Sequence, residues 1–187
     1  MIVSEDYMIL TFLQAEISSP RFARYLGKHD MLILTLPDLS CPKQNKERKR
    51  ILTKYRGFGN RTKLFHKFPK KVLWETETFL PNDIKKLKTI NHTEWNRLTK
   101  NSRYVTSAVL NLSNIYVRGI TENIIDVYKS LCQGIKLPSI IITQDLVTNN
   151  RVILEGHTRA VAYALANCGC EAIIGYGKFK TWQGQRI

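Results

Sequence analysis

An apolar strand that passes into a helix within two or three residues constrains this chain more than any other feature. Residues 151–154 predict a buried strand, and a helix is expected over residues 158–167, with Gly156 between them. A glycine permits a backbone conformation that is strained for other residues, and it keeps side-chain bulk away from the bend. We therefore expect a sharp turn here that exposes the first amides of the new helix.

The neighbouring segments supply the remaining parts of a mixed α/β unit. Strands are predicted at residues 72–79, 140–142 and 172–174, and a turn at residues 148–150. Helices are expected to start at Pro81, at a Thr93 cap and at a Thr121 cap. The Thr121 helix should end at Gly134, and its apolar stripe consists of Ile124, Ile125, Tyr128, Leu131 and Cys132. Val161, Ala164, Leu165 and Cys168 should face inward from the helix over residues 158–167. The pattern predicts an α/β (α+β) fold, a mixed sheet flanked by helices.

The N-terminal part gives weaker signals. Residues 7–13 are apolar and fit either a strand or a helix, and residues 31–36 predict a short strand. Ser19 and Pro20 predict a helix start, with the helix running to Gly27. We expect an N-terminal extension over residues 1–71 and a core domain over residues 72–187, in which Phe179 and Trp182 pack back onto the core.

Basic residues are concentrated in one segment, residues 43–71. It contains 12 Lys and Arg and one acid, Glu47, which gives +11. The other residues carry 17 basic and 14 acidic groups, and therefore only +3 of the total of +14. Such a segment suits a polyanion, which could be nucleic acid, anionic lipid or a phosphorylated ligand. A solvated basic surface is the alternative.

Aromatic residues alternate with cations inside this basic segment. Residues 55–59 read Tyr-Arg-Gly-Phe-Gly and residues 65–69 read Phe-His-Lys-Phe-Pro. Such rings could stack on nucleobases, or they could anchor the segment to the core, which is the interpretation we favour. The residues predicted to contact nucleic acid are Lys46, Arg48, Lys49, Arg50 and Arg56.

The length of apolar runs, the N-terminal charges and the cysteine spacing predict the compartment and the metal content. No stretch approaches the ~18 apolar residues of a membrane span, so no membrane association is expected. Glu5 and Asp6 stand where a secretory signal would be basic, so we expect a cytoplasmic protein. The four cysteines are expected to be buried, reduced thiols, and Cys168 and Cys170 are too close together for a zinc knuckle. No protein metal site is predicted.

The residues Glu155-Gly156-His157-Thr158-Arg159 together predict an anion-binding loop. Exposed amides at a helix start favour a negative charge, Thr158 adds a hydroxyl, and Arg159 adds a planar fork that grips two oxygens. Each residue also has a structural interpretation. Gly156 could form a plain turn, Thr158 could cap the helix, Arg159 could pair with Glu155 or another acid, and His157 could be structural.

Residues 154–162, Leu-Glu-Gly-His-Thr-Arg-Ala-Val-Ala, resemble the signature of the ParB/sulfiredoxin superfamily. The order of predicted elements over residues 72–175 is similar to that fold. Members bind nucleotides at this loop. Sulfiredoxins have Gly-Cys-His-Arg and partition proteins have Gly-Glu-Arg-Arg, whereas free-serine kinases have Asp-Gly-His-His-Arg, which is the pattern most similar to residues 155–159.

The resemblance to the kinases implies a set of roles. Glu155 would be the catalytic base, and His157 would orient a phosphate or the substrate. Gly156, His157, Thr158 and Arg159 would bind the cofactor, ATP or CTP, whose phosphates would hold Mg²⁺. Further candidates for phosphate contact are Arg103, Arg118 and Arg151. The expected function is nucleotide binding, with phosphoryl transfer or nucleotide hydrolysis as the reaction. The alternative is a nucleic-acid-binding module or nuclease that uses residues 43–71 on DNA or RNA.

Overall fold

The computed structural model describes residues 1–17, 19, 22 and 26–179, and its elements form a mixed sheet with helices packed around it. The five strands are β1 (Ile2–Val3), β2 (Leu73–Phe79), β3 (Ile140–Asp145), β4 (Arg151–Glu155) and β5 (Cys170–Gly177). The helices of the described residues are α1 (Glu5–Glu16), α2 (Lys28–Thr35), α3 (Pro42–Arg56), α4 (Pro81–Lys85), α5 (Thr93–Leu98), α6 (Val105–Asn111), α7 (Thr121–Cys132) and α8 (His157–Ala166). The α/β class predicted from the sequence is therefore confirmed.

The sheet has the strand order β1-β2-β5-β3-β4. β3 and β5 are parallel, and the other neighbouring pairs are antiparallel. The connection between β4 and β5 is α8, which packs against α7 and β3. The three isoleucines of β3 are fully buried, as expected for a central strand with both faces covered. The hairpin of β3 and β4, together with α8, thus holds the loop at Gly156 in position.

The predicted turn at residues 148–150 is confirmed, and Asp145 shapes it. The Asp145 carboxylate accepts N–H groups from Val147 (2.9 Å), Thr148 (2.8 Å) and Phe179 (2.5 Å). Burial alone would raise the pKa of Asp145, but these donors outweigh it and lower the pKa below its usual value. The contact with Phe179 also joins the chain after β5 to this turn, so the predicted packing of Phe179 is confirmed, whereas Trp182 lies outside the described residues.

The predicted strand at residues 31–36 is wrong, because these residues lie in and just after helix α2. The Gly27 N–H donates to the Asp30 carboxylate at 3.0 Å, which closes the first turn of that helix. A short apolar run does not separate a strand from a helix by period alone, and here the local cap decides. Residues 7–13 resolve as the buried helix α1, whose Ser4 cap accepts the Tyr7 N–H at 3.1 Å. The helix predicted from Ser19 falls mainly on residues outside the described set.

Several expected side-chain positions also differ. Thr93 and Thr121 are the first helical residues rather than the caps. Ile125 and Leu165 are exposed, so the inward face is narrower than predicted on both helices. Cys170 is buried, but Cys41 and Cys168 are only partly buried and Cys132 is exposed, so the prediction of four buried thiols is wrong.

The basic segment contains a helix, α3, that the sequence did not predict because its residues are mostly charged. Pro42 stands at its first turn, and Gly57 ends it with φ +82°. Phe65 and Phe68 are buried beside Phe58, which confirms the anchor interpretation of these rings. Both sides of the predicted boundary at residue 71 contribute to one hydrophobic cluster. The division into two domains stays a prediction.

Arg48 gives a test of how this helix is held. Its buried guanidinium donates to the carbonyls of Ile33 (3.0 Å) and Asp38 (2.9 Å), so Arg48→Ala would leave both without a donor and open a cavity. We expect a loss of about 2 to 4 kcal/mol in the free energy of unfolding, measured by denaturant titration. The exposed neighbour Lys46 is the control, and Lys46→Ala should change stability by less than about 0.5 kcal/mol. Equal losses in both variants would contradict this role.

Candidate functional site

A cavity of about 700 Å³ lies at the start of α8. Its walls come from the end of α1, the end of α3, the start of α7 and the residues around α5. The predicted loop residues Glu155, Gly156, His157, Thr158 and Arg159 all line it. A volume of this size is within the range of small-molecule and cofactor sites. The sequence motif therefore borders a cavity large enough to hold a small ligand.

The bend between β4 and α8 is built by a bulge and a glycine. Glu155 pairs with Ile141 and Ile153 pairs with Ile142, so β4 has one extra residue at Leu154. Gly156 has φ +93°, a conformation that favours glycine. A Cβ there would lie 2.8 Å from Arg159 Nη2 and 2.9 Å from Ile140 Cγ2. The missing side chain thus lets the guanidinium of Arg159 lie directly against the backbone of the loop.

The first residues of α8 line the cavity, and their backbone N–H groups precede the first hydrogen bond of the helix. The first helical hydrogen bond runs from the Ala160 N–H to the Gly156 carbonyl at 2.8 Å. Within the described ranges, no acceptor is found for the backbone N–H groups of Thr158 and Arg159 or for the Thr158 hydroxyl. Three donors at the positive end of a helix dipole are therefore available to an anion.

Arg159 is held in place by two bonds. Its guanidinium donates to the Glu155 carboxylate at 3.1 Å and to the Pro138 carbonyl at 3.2 Å. The structural interpretation of Arg159 as a partner of Glu155 is thus correct. Arg159 is only 7% exposed, and it lines the cavity. A guanidinium has five N–H donors, so these two bonds leave further donors for an anion. The ion pair therefore positions the guanidinium without using all of its hydrogen-bond donors.

Glu155 has an electrostatic environment suited to proton transfer. Burial raises the pKa of its carboxyl from 4.5 to about 7, and the negative charge of Glu16 adds to the rise. The positive charges of Arg159 and Arg56 and the N–H of Gly156 oppose this rise without cancelling it. A carboxyl that titrates near neutral pH can both accept and release a proton, as a general base must.

The sequence did not predict that Glu16 and Arg56 belong to this site. Glu16, at the end of α1, is buried and forms an ion pair with Arg56 at the end of α3, and both line the cavity. The site therefore contains two carboxylates and two guanidiniums in one buried cluster: Glu16, Arg56, Glu155 and Arg159. A glutamate that follows the apolar run of α1 was the available signal, since a buried charge is rare unless it is paired.

His157 has structural contacts. Its Nε2 accepts the Ile90 N–H at 3.2 Å, so that nitrogen carries no proton in this arrangement. The ring also stacks on Trp95 with centroids 5.3 Å apart. These contacts fix the loop to α5 and to Ile90 before it. The catalytic role of His157 stays a prediction.

Of the three further arginine candidates, only Arg118 lines the cavity. Arg103 is partly buried and donates from Nε and Nη2 to the Thr89 carbonyl at 3.0 and 2.7 Å. Arg151 donates to Gln144 at 2.7 Å and lies over the ring of Phe79. Neither of these two guanidiniums contacts the loop.

The residues predicted for nucleic acid divide into two groups. Lys46, Lys49 and Arg50 are exposed on α3, and the last two pair with Glu5 (2.8 Å) and Glu47 (2.5 Å). Arg48 is fully buried, and Arg56 is directed into the cavity. The structure thus places these two away from the basic surface, because their guanidiniums bond to carbonyls and to Glu16.

Neither metal ligation nor a membrane span is indicated by the described residues. No group of three or more His, Cys, Asp or Glu side chains in the described ranges is arranged to hold a metal ion. Among the same residues, no helix has the length and apolar character that crossing a membrane requires.

Comparison with known proteins gives no family assignment. No protein-family model, curated protein or solved structure matches the chain. The resemblance to the ParB/sulfiredoxin superfamily therefore stays a prediction that depends on the residues of the loop and on the order of the elements. Function has to be inferred from the site itself.

The raised pKa of Glu155 predicts a pH-dependent stability. Between about pH 4.5 and pH 7 the folded protein keeps the Glu155 proton that the unfolded chain releases, so stability falls as pH rises through this window and the effect ends above pH 7. Glu155→Gln should remove this component in urea titrations from pH 4.5 to pH 8. Glu171→Gln, at an exposed carboxyl, is the control. A difference between wild type and Glu155→Gln that does not vary with pH would contradict the prediction.

Proposed function

We propose that the cavity binds a nucleotide, ATP or CTP, through its phosphates, and that the protein is a phosphotransferase or a nucleotide hydrolase. The observation that carries the proposal is the group of donors on one cavity wall, namely the N–H groups of Thr158 and Arg159 with the guanidinium of Arg159. Backbone amides at a helix start and an arginine fork are the groups that proteins use to hold phosphate.

The remaining wall residues supply what the rest of a nucleotide needs. Arg118 also lines the cavity and can offset phosphate charge. Apolar surface for a base or sugar comes from Ile90, Trp95 and Leu137. Mg²⁺ would be held chiefly by the phosphates, as is common for this ion, and it would neutralise charge between them. The acids Glu16 and Glu155 also line the cavity and are the carboxylates that a hydrated Mg²⁺ ion would find there.

The reaction that suits this arrangement is transfer of a terminal phosphoryl group to a hydroxyl or to water. Glu155 takes the proton of the attacking oxygen, the new phosphorus–oxygen bond forms, and the bond to the leaving nucleoside diphosphate breaks. The ion pair of Glu16 with Arg56 keeps a second negative charge near Glu155 and thereby favours its role as a base near neutral pH. Arg159 offsets the charge on the transferred group.

A matched pair of substitutions tests binding. Thr158→Asp adds a carboxylate at the second residue of α8, where it repels phosphate while favouring the helix. We expect affinity for ATP or CTP with Mg²⁺, measured by calorimetry, to fall at least about tenfold. Thr106→Asp makes the same change at the second residue of α6, outside the cavity, and should leave the affinity unchanged.

Turnover is measured separately on the same proteins. Glu155→Gln should keep nucleotide binding, because the glutamine carbonyl can still accept the hydrogen bond from Arg159. It should lose product formation followed by ³¹P NMR, because the amide cannot accept the proton. Equal binding in Thr158→Asp and wild type, or no binding of either nucleotide at millimolar concentration, would contradict the proposal.

A further inference from the structure

The exposed cations of the basic segment form a stripe that the nucleotide site does not use. Of the 12 Lys and Arg in residues 43–71, ten have exposed side chains. In the described part of the chain, only Lys49 and Arg50 among these ten are in ion pairs with carboxylates. Most of the positive charge of this segment is therefore uncompensated at the surface, which favours a polyanionic partner.

The spacing of the cations on α3 places them on one face. Lys43, Lys46, Arg50 and Lys54 are separated by three, four and four residues, which is the repeat of a helix surface. The opposite face carries the buried residues Arg48, Ile51 and Leu52. At 1.5 Å per residue the stripe is about 16 Å long, a distance that about five nucleotides span at ~3.4 Å each along a stacked strand.

The stripe continues to the cavity at the C-terminal end of α3. Lys63 Nζ donates to the Lys54 carbonyl at 2.8 Å, which places a further ammonium at the end of the row. The next residue, Leu64, lines the cavity, as does Arg56 at the end of the helix. A line of positive charge therefore leads from the outer end of α3, past Lys63, to the cavity that the phosphate donors also line.

We propose that the stripe Lys43, Lys46, Arg50, Lys54 and Lys63 binds the phosphates of a single-stranded nucleic acid whose phosphorylated end enters the cavity. This inference rests on the proposed phosphate site and narrows its ligand from a free nucleotide to the end of a strand. A duplex end is too wide for a cavity of about 700 Å³, whereas one terminal nucleotide fits. Phosphate contacts of lysines carry no sequence information, so binding should be independent of sequence.

The test uses fluorescein-labelled 12-mers of oligo-dT with a 5′-phosphate, a 3′-phosphate or neither, and fluorescence anisotropy at several salt concentrations. The triple variant Lys43→Gln/Lys46→Gln/Lys54→Gln should bind all three oligonucleotides more weakly. It should also reduce the slope of log K against log salt by about 2, since each lost phosphate contact is worth about 0.7 on single strands. Lys86→Gln/Lys100→Gln/Lys178→Gln removes the same charge from exposed positions elsewhere and should leave the slope near wild type.

The Thr158→Asp variant tests whether the phosphorylated end of the strand enters the cavity. Wild type should bind one phosphorylated oligonucleotide at least about threefold more tightly than the unphosphorylated one, and Thr158→Asp should lose this preference while it keeps the salt slope. Mononucleotide affinity should be unchanged by the stripe substitutions, so failure of the stripe and failure of the nucleotide site give different results. Equal slopes in the two triple variants, no preference for a terminal phosphate, or binding to phosphatidylserine vesicles instead of oligonucleotides would overturn the inference.

Discussion

The ion pair between Glu155 and Arg159 across Gly156 is the interaction on which the candidate site depends. It joins the end of a sheet strand to the first turn of a helix, and it exists in this form because residue 156 has no side chain. The pair keeps a guanidinium beside two helix-start amides for which the described residues offer no acceptor, and it keeps a carboxylate where burial raises its pKa to about 7. Cation, amides and base are thus brought together by five consecutive residues.

A second ion pair, between Glu16 and Arg56, affects the pKa of Glu155 in the first. Glu16 and Arg56 come from α1 and α3, and they line the same cavity, near enough to Glu155 for their charges to affect its pKa. Breaking one partner of a buried pair is costly, so Glu16 and Arg56 hold each other in place while their charges act on Glu155. The N-terminal residues are therefore part of the site and not only an appendage to the sheet. This makes the basic segment a link between the cavity and the exposed surface of α3.

The sequence predicted those elements whose signals lie within a few neighbouring residues, and it missed those that depend on distant contacts. β3, the turn at residues 148–150, β4 and α8 followed from β-branched runs, turn residues and Gly156, all within a few residues of one another. The strand predicted at residues 31–36 was wrong because its run is too short to show a period. α3 was not predicted because it has few apolar residues, and its burial depends on Arg48 bonding to distant carbonyls.

The site shows the same limit. The loop residues 155–159 were found because their chemistry is contiguous, and all five line the cavity. The position of Glu16 after an apolar run hinted at a buried pair, but its partner and its place beside the loop could not be predicted, because only the fold brings the ends of α1 and α3 there. Arg48 was assigned to the surface because a basic run conceals which of its members faces inward.

The most direct measurement is a crystal structure of the protein with a non-hydrolysable ATP analogue and Mg²⁺. The account predicts phosphate oxygens within hydrogen-bond distance of the Thr158 and Arg159 amides and of the Arg159 guanidinium, with the terminal phosphate facing Glu155. A nucleotide bound elsewhere, or a cavity in which these amides contact only protein groups while the analogue is present at saturating concentration, would contradict it.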